Sequence, residues 1–221
     1  RPEFDPLIVH VADIAAAEQI VADFPEVARK LAAEFWPGPL TLVLPKRPHI
    51  SDLVTAGLPG VGLRIPKHPL AIELLQAVGR PVVAPSANPF GGVSPTTAGH
   101  VVDGLGGRID GVLDGGPCDV GLESTVVSLM TDQPMLLRPG GLPIEDIEAV
   151  IGTVQRAVSD PSQDNAAQPA PGMLSRHYAP ATMLRVIPID DAAATIEGKR
   201  CGLLTHGEHP SPQGFGKIEQ L

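Results

Sequence analysis

The sequence is poor in cysteine and in aromatic residues. Only two of its 221 residues are cysteines, Cys118 and Cys201, and they lie far apart without a Cys-x-x-Cys pair or a metal-ligand spacing. Two free thiols are therefore expected, and neither a disulfide framework nor a zinc site. Aromatic residues make up 3% of the chain, which argues against a stacking platform for single-stranded nucleic acid.

Long apolar runs and an excess of positive charge are also missing. No apolar stretch reaches the length of a membrane span, and no signal peptide is visible, so we expect a cytoplasmic protein without membrane contact. The formal net charge is −9, which argues against strong direct binding to nucleic acid. A local basic pocket is still compatible with that charge.

Glycine and proline are plentiful, at 24 and 25 residues. This proportion is below that of low-complexity chains and indicates many tight loops around a core that 43% hydrophobic residues can build. Strand-like and helical segments alternate along the chain, which predicts an α/β fold. The predicted strands include Leu7–Val11, Leu40–Leu44, Val61–Ile65, Pro81–Ala84 and Gly111–Leu113, followed by a hairpin of Thr125–Met130 and Met135–Leu137; helices are predicted from Asp13 to Phe24, from Pro25, from Pro69 to Val78, from Ser94, and over Pro143–Ile151.

The stretch from Val82 to Thr97, V-V-A-P-S-A-N-P-F-G-G-V-S-P-T-T, predicts a strand, a loop and the start of a helix. Ser94 suits the N-cap and Pro95 the first helical position. Such a passage directs hydroxyls, among them that of Ser86, and backbone N–H groups at one spot that can hold a phosphate. Taken alone, the stretch is better explained by an ordinary turn before a capped helix.

Three further segments carry polar residues at strand ends. Arg64, in V-G-L-R-I-P, is either a solvent-facing arginine of an edge strand or a cleft residue that holds a carboxylate or phosphate. G-L-E-S-T offers Ser124 before a strand, or marks a turn or bulge. L-L-R-P-G-G places Arg138 before a glycine turn, where an exposed strand end is the alternative.

No pattern for covalent catalysis accompanies these residues. The sequence contains no G-x-S-x-G elbow, no Walker motif, no supported Cys/His pair and no paired acidic signature of a metal cluster. Arginine, serine, threonine and asparagine without a protein nucleophile favour catalysis on phosphates by positioning and charge neutralisation.

Composition divides the chain into three parts. Residues 1–151 form the predicted catalytic domain, residues 152–180 a linker, and residues 181–221 the start of a small C-terminal α/β domain, with strands predicted at Met183–Ile187 and Gly202–Leu204 and a helix near Asp190–Ile196. Both ends look cut, so we expect the sequence to be a piece of a longer protein.

Taken together, the motifs resemble the YrdC/TsaC family of threonylcarbamoyl-AMP synthases in its longer, two-domain form. The resemblance implies a YrdC-like twisted mixed sheet with flanking helices around a concave cleft, and a Rossmann-like second domain. It rests on eight segments that follow one another in the family's order: R-P-x-x-D-P-L-I-V-H-V from Arg1, W-P-G-P-L-T-L-V-L from Trp36, V-T-A-G-L-P-G-V-G-L-R-I-P from Val54, A-P-S-A-N from Ala84, G-x-x-S-P-T from Gly91, G-L-E-S-T-V-V from Gly121, L-L-R-P-G from Leu136, and P-G-M-x-x-R-H-Y-A-P from Pro171.

The resemblance implies an enzyme, a nucleotidyltransferase that converts ATP, L-threonine and bicarbonate into threonylcarbamoyl-AMP and pyrophosphate. Mg²⁺ would accompany ATP, with no metal ligand from the protein. Other proteins would pass the threonylcarbamoyl group to an adenosine of tRNA. The expected chemistry is an in-line attack of the carbamate oxygen on the α-phosphate, which requires positive charge and tight positioning but no protein nucleophile.

The resemblance also implies roles for individual residues. Arg64 and Arg138 are the expected electrostatic catalysts. Asp5 is the less certain nucleotide contact, because the family often has asparagine there. The ATP-binding set is Arg1, Asp5, Gly60, Ser86, Ser94, Arg138 and Tyr178, and the threonine-binding set is His10, Arg64, Ala84 and Ser124. Tyr178 matches a linker tyrosine that folds back over the nucleotide, which would make the linker a lid.

Two other functions remain open, and the sequence differs from the family pattern in one respect. A carbamoyl-adenylate-forming module of the hydrogenase-maturation type would respond to carbamoyl phosphate and not to threonine. A non-catalytic module for double-stranded RNA would bind RNA with a steep salt dependence. The family's P-T-E-T-x-Y-G-L segment and a lysine two residues before Arg1 are not in this sequence, so we expect residues 1–221 alone to be inactive.

Overall fold

A computed structural model of the protein describes residues 4–157, 167–173, 182–191, 202–205, 215 and 217–220. The chain divides into two compact units, Arg1–Ala179 and Pro180–Leu221. The candidate site residues that the structure describes all belong to the first unit.

One mixed sheet of seven strands organises the first unit, in the order β4-β1-β3-β2-β5-β6-β7. The pairs β1–β3, β2–β5 and β6–β7 are parallel, and β1–β4, β2–β3 and β5–β6 are antiparallel. The strands are β1 Ile8–His10, β2 Leu40–Pro45, β3 Gly60–Arg64, β4 Val82–Ala84, β5 Thr125–Ser128, β6 Met135–Arg138 and β7 Gln155–Arg156. The expected mixed α/β fold is confirmed, and β7 is a strand that the sequence did not indicate.

The described residues of this unit contain six α-helices: α1 Ile14–Glu18, α2 Glu26–Phe35, α3 Asp52–Thr55, α4 Pro69–Val78, α5 Ala98–Leu105 and α6 Ile144–Ile151. In α2, Ala28, Leu31 and Ala32 recur at helical spacing and are fully buried. Helix α4 begins at Pro69 and ends before Gly79, whose φ of 64° suits the glycine of a left-handed cap. The predicted bounds of α4 are confirmed.

The main core lies on one face of the sheet, under α1, α2 and α6. Side chains alternate between the two faces of a strand, and Val9, Leu63 and Val127 point into this core from three strands. Strand β2 is buried along almost its whole length, as expected for a central strand covered on both faces. A smaller cluster of Val43, Val126 and Ala170 lies on the opposite face.

Three local predictions are wrong. Helix α1 ends at Glu18 and not at Phe24, because Val21 leaves the helix to bridge with Lys46. Gly111–Leu113 forms no strand; its residues are exposed. The helix expected from Ser94 begins only at Ala98, with Thr97 as the N-cap accepting from the His100 N–H at 3.2 Å.

Of the second unit, the structure describes residues 182–191, 202–205, 215 and 217–220. Strand β8, Gly202–Thr205, pairs in parallel with β9, Lys217–Gln220. The predicted strand near Gly202 is therefore confirmed, whereas Met183–Ile187 is irregular instead of forming a strand, and residues 183–186 are exposed. A 3-10 turn covers Ile189–Asp191, and the rest of the helix predicted near Asp190–Ile196 lies outside the described residues. Among the described residues, no helix is both long and apolar enough to cross a membrane.

Candidate active site

A row of polar side chains crosses one edge of the sheet. His10, Arg64 and Arg138 end β1, β3 and β6, while Ser124 precedes β5 and Thr41 lies near the start of β2. The pairs β1–β3 and β2–β5 run parallel, and the pairs β3–β2 and β5–β6 run antiparallel. The ends of β1, β3 and β6 and the starts of β2 and β5 therefore meet at the same edge. The sheet order places the five residues on five adjacent strands, and we call them the polar row.

The polar row lies on the face of the sheet opposite the helical core, which we call the site face. Its floor is built from small residues. A Cβ at Gly60 would lie 2.9 Å from Val43 Cγ1, and one at Gly62 would lie 3.3 Å from Thr41 Cγ2. Glycine at both positions therefore keeps the floor low enough for another chain segment or a ligand to approach.

Arg64 occupies the middle of the polar row on a central strand. It is half-buried, so the alternative of a solvent-facing arginine on an edge strand is wrong. Its Nε donates to the Gly38 carbonyl at 3.0 Å, and its two Nη atoms have no hydrogen-bond partner within the described part of the chain. Burial, and then the positive charge of Arg138, lower the pKa of Arg64.

His10 pairs in register with Arg64 on the neighbouring parallel strand, so the two side chains share a face. Burial, and then the nearby Arg64 charge, lower the pKa of His10 to about 4, while backbone groups of Ile8 and Val82 act in the opposite direction. The imidazole is therefore neutral at pH 7. Its Nδ1 is buried without a hydrogen-bond partner in the described structure, and such an atom is typical of a position that a ligand completes.

A β-bulge brings Arg138 onto the site face. Val127 pairs with Leu136, but Val126 pairs with Arg138, so β6 carries one extra residue, Leu137, at this point. Strict alternation would have pointed Arg138 to the same side as Leu136, which lies in the helical core. The bulge instead places the guanidinium beside Ser124.

Arg138 is 7% exposed, which rules out the exposed strand end considered from the sequence. Its Nε and Nη2 donate to the Ser124 carbonyl at 3.2 and 2.7 Å, and Nη2 also donates to Ser124 Oγ at 3.1 Å. Ser124 Oγ lies 2.8 Å from Thr41 Oγ1. Arg138, Ser124 and Thr41 are thus connected across three adjacent strands.

The glycine turn after Arg138 has a steric reason. A Cβ at Gly140 would lie 2.4 Å from the Glu123 carbonyl oxygen and 2.5 Å from backbone atoms of Ser124 and Thr125. The Gly141 N–H donates to the same Glu123 carbonyl at 2.8 Å. The R-P-G-G and G-L-E-S-T segments are therefore packed backbone against backbone, which only glycine allows at position 140.

The loop of residues 85–97 extends along the site. It starts after Ala84, which pairs with Ile8 at the end of β1 away from the polar row, and Phe90 contacts the Phe4 ring there. Near its other end, the Ser94 hydroxyl donates to Glu123 Oε1. The role of Ser94 as a helix cap is therefore wrong, since its hydroxyl reaches a carboxylate 29 residues away.

The turn inside this loop is held by Asn88. Its Nδ2 donates to the Pro89 carbonyl at 3.0 Å and to the Gly92 carbonyl at 2.9 Å. Gly91 has a φ of 79°, which is why a glycine occurs in the bend. Beside the loop lies a hollow of about 280 Å³, whose lining includes Ser86, Thr96, Val101, Leu113 and Cys118.

A short segment of the predicted linker, residues 167–173, lies on the floor of the site face. The Gln168 N–H donates to the Phe4 carbonyl at 3.2 Å, and the Pro171 carbonyl accepts from Arg138 Nη1 at 2.9 Å. Between them Ala170 is 1% exposed against Val43 and Val126. This segment of residues 167–173, which we call the strap, therefore runs from the chain just before β1 to the polar row.

The remaining predicted site residues lie in different places. Asp5 precedes β1 and is buried, at 3% exposure, and Gly60 begins β3 on the floor of the site face. Ala84 lies on the site face but two residues from the polar row, because Val82 is the residue that pairs with His10. Arg1 and Tyr178 lie outside the described residues.

Sequence reasoning missed three parts of this site. The sequence indicates Thr41 only as a strand residue, and Glu123 only as part of the G-L-E-S-T segment. The threonine in the apolar run L-T-L-V-L is a signal that could have pointed to the site face. Nothing in the composition of residues 167–173 indicates that this part of the linker is buried.

Comparison with known proteins adds two family matches. The Sua5/YciO/YrdC family model, described as telomere recombination, matches residues 1–140. A second model, described as the C-terminal domain of threonylcarbamoyl-AMP synthase, matches residues 142–219.

Individual relatives agree. The chain is 43% identical to threonylcarbamoyl-AMP synthase of Pyrococcus abyssi, over 97% of this chain and 66% of the relative, and 50% identical to that of Bacillus subtilis, over 94% and 62%. A crystal structure of P. abyssi Sua5 complexed with L-threonine is similar with a TM-score of 0.92 and 40% identity, covering all of this chain and 67% of the other. The chain thus spans about two thirds of the length of these relatives.

Proposed function

The chain belongs to the Sua5/YciO/YrdC family, and from this premise we propose that the protein synthesises threonylcarbamoyl-AMP from ATP, L-threonine and bicarbonate. The resemblance read from the sequence motifs is confirmed at the level of the family. The activity, the substrates and the supply of the product to tRNA modification are proposals for this chain.

One observation carries the proposal: the polar row brings Arg64 and Arg138 to the same face of the sheet, and the Nη atoms of Arg64 have no hydrogen-bond partner among the described residues. The charge of Arg138 also lowers the pKa of Arg64, and an anion bound beside the two guanidinium groups would relieve their repulsion. Arg64 forms no salt bridge within the described residues. A site of this kind suits a carboxylate at Arg64 and a phosphate near Arg138.

We place L-threonine at the His10, Arg64 and Ser124 end of the polar row. The free Nη atoms of Arg64 would hold its carboxylate in a two-point contact. The neutral His10, with its buried Nδ1 lacking a partner, would accept a hydrogen bond from the hydroxyl or amine of threonine. The P. abyssi Sua5 structure, which is 40% identical to this chain, is complexed with L-threonine, and this supports threonine as a ligand of the chain.

We place ATP along the loop of residues 85–97, with its phosphates toward Arg138. The hollow of about 280 Å³ beside Ser86 is apolar on most of its lining and suits a base, as ligand pockets commonly do. Asp5, Gly60 and Ser94 stay proposed nucleotide contacts, as do Arg1 and Tyr178, which lie outside the described residues. Mg²⁺ bound to the phosphates of ATP would supply further positive charge at the α-phosphate.

The proposed chemistry proceeds in two steps that balance. The neutral amine of threonine and bicarbonate give a carbamate and water. A carbamate oxygen then attacks the α-phosphorus of ATP, its bond to the β-phosphate oxygen breaks, and pyrophosphate leaves. Arg138 would stabilise the charge on the phosphates, and the strap of residues 167–173 would limit the access of water to the adenylate.

Pyrophosphate release by the purified full-length protein tests the proposal. We expect release from ATP only when L-threonine and bicarbonate are both present, and we expect Arg64→Ala to lower kcat/KM by about ten- to a hundredfold, from the loss of a charge-assisted contact. Arg80→Ala removes an exposed arginine outside the polar row and serves as the matched control. Release that is independent of threonine would contradict the proposal.

The second candidate is a carbamoyl-adenylate-forming module on the same fold. The match of residues 142–219 to the C-terminal domain of threonylcarbamoyl-AMP synthase favours the synthase over this candidate. The two differ in the compound that stimulates ATP–pyrophosphate exchange. Stimulation by carbamoyl phosphate, without any effect of threonine, would establish the alternative.

A further inference from the structure

Glu123 lies between the two proposed substrate sites and is absent from the residues that the family resemblance assigns. Its carboxylate accepts a hydrogen bond from the Ser94 hydroxyl, and its neighbour Ser124 belongs to the polar row. Building on the proposed function, we propose that Glu123 is a positioning residue that fixes Ser94 and leaves the Ser94 oxygen to accept a hydrogen bond from a ribose hydroxyl of ATP.

The backbone of Glu123 is firmly anchored. Its carbonyl accepts from Gly141 N–H at 2.8 Å, and Gly140 packs against it so closely that a Cβ there would come within 2.4 Å of the carbonyl oxygen. The next residue, Ser124, is 2% exposed and is held by Arg138. Glu123 therefore presents its carboxylate from the rigid β5–β6 hairpin.

Ser94 comes from a part of the chain with little packing of its own. The adjoining helix α5 contains no buried residue, and Val93 is 58% exposed. Another tie of this part of the loop is the bond from the Cys118 N–H to the Thr96 carbonyl at 2.8 Å, but Cys118 is itself exposed. The bond to Glu123 is thus the contact that connects Ser94 to the well-packed hairpin.

The direction of that bond limits what Ser94 can do. A serine hydroxyl has one proton and two lone pairs, and an ionised carboxylate can only accept. Because the Ser94 hydroxyl already donates its hydrogen bond to Glu123, it cannot donate to a phosphate oxygen. The adjacent carboxylate also disfavours a phosphate at that position. A ribose hydroxyl, which carries a proton to donate, fits the remaining lone pairs.

Steady-state kinetics and equilibrium binding of ATP by the full chain test this inference, with Glu123→Ala, Glu123→Gln, Ser94→Ala and the double variant. Because the bond from Ser94 to Glu123 is charge-assisted, we expect Glu123→Ala to raise the KM and the Kd for ATP about tenfold or more. We expect the KM for threonine to change less than about twofold. Glu123→Gln, which keeps an acceptor oxygen, should restore ATP binding to within about threefold of wild type.

Two readouts separate positioning from a general loss of structure. Ser94→Ala and Glu123→Ala should not add in the double variant, because they remove the same bond. Wild type should prefer ATP over at least one of 2′-deoxy-ATP and 3′-deoxy-ATP, and both single alanine variants should lose that preference. Glu145→Ala, on the exposed side of α6, is the control for removing a glutamate.

The outcomes also separate this inference from the proposed function. A wild-type protein that neither binds ATP nor releases pyrophosphate with threonine and bicarbonate would contradict the proposed function. A wild type that does both, while Glu123→Ala binds ATP as tightly as wild type, would overturn the role of Glu123. Glu123→Gln as damaging as Glu123→Ala, or a preference for ATP over its deoxy analogues that survives in Ser94→Ala, would overturn it as well.

Discussion

Two parts of the first unit are built with different packing density. In the packed half, made of β2, β3, β5, β6 and the helices on them, residues such as Leu31, Leu42 and Val127 are completely buried. In the open half, residues 78–122, helix α5 has no buried residue. Large apolar side chains of the open half that are more than half exposed include Val93, Val102, Leu113, Val120 and Leu122.

Residues of both halves form the candidate site, and the two halves hold their site residues in different ways. Arg64, Ser124 and Arg138 come from strands of the packed half, which hold them in place before any ligand arrives. Ser86 and Ser94 come from the open half, and the hydrogen bond to Glu123 holds Ser94 in place. We therefore expect the threonine site to be preformed and the nucleotide site to depend on a few hydrogen bonds.

The largest expected difference concerns stability. Leu42→Ala removes a fully buried side chain in the packed half and should lower the free energy of unfolding by about 3 kcal/mol. Val102→Ala, at a position 55% exposed in the open half, should change it by less than about 0.5 kcal/mol. Urea unfolding of both variants measures the contrast, and equal losses would contradict the division into two halves.

The next effect is a pH dependence from His10. Its pKa is about 4 in the folded protein against 6.5 for the ordinary group, so between these values the unfolded chain binds a proton that the folded one does not. The contribution of His10 to the free energy of unfolding should therefore be fully present above about pH 6.5 and should decrease as the pH drops towards 4.

Each pH unit between the two pKa values is worth about 1.4 kcal/mol, so at pH 4.5 the loss from His10 should be about 2 to 3 kcal/mol. Urea unfolding at pH 7.5 and pH 4.5 measures this loss. Between these pH values the free energy of unfolding should fall by about 2 to 3 kcal/mol less in His10→Gln than in wild type. An identical drop in both proteins would show that His10 is not buried as described.

The smallest effect concerns the hydrogen bonds of His68, one of which reaches Gly115 in the open half. His68 Nδ1 accepts from Leu70 N–H at 3.2 Å as the N-cap of α4, and its Nε2 bonds the Gly115 carbonyl at 3.1 Å. His68→Ala should cost about 1 kcal/mol of unfolding free energy. His68→Asn, which keeps a capping side chain, should recover part of it, and two variants as stable as wild type would show that these hydrogen bonds contribute little.

Much of the packed half could be predicted from the sequence because its signals are local. The apolar run of β2, the Pro69 and Gly79 boundaries of α4, and the hairpin of β5 and β6 follow from periodicity and from start and stop residues. The bulge that places Arg138 on the site face could not be predicted, because strict alternation assigns that residue to the other face.

The open half misled sequence reasoning for a different reason. Ser94 before Pro95 is a good local signal for a helix start, but its hydroxyl is taken by Glu123, and Thr97 caps the helix instead. That competition depends on a residue 29 positions away. The burial of Ala170 likewise depends on the long-range packing of the strap on the floor of β2 and β5.

Calorimetric titration of L-threonine into the nucleotide-free protein tests most directly whether the packed half holds a preformed threonine site. We expect threonine to bind wild type, Ser94→Ala and Arg80→Ala with Kd values within about twofold of one another. Arg64→Ala should weaken binding about tenfold or more, because the carboxylate loses a charge-assisted contact. Threonine binding that is unchanged in Arg64→Ala, or that is lost in Ser94→Ala, would contradict the account.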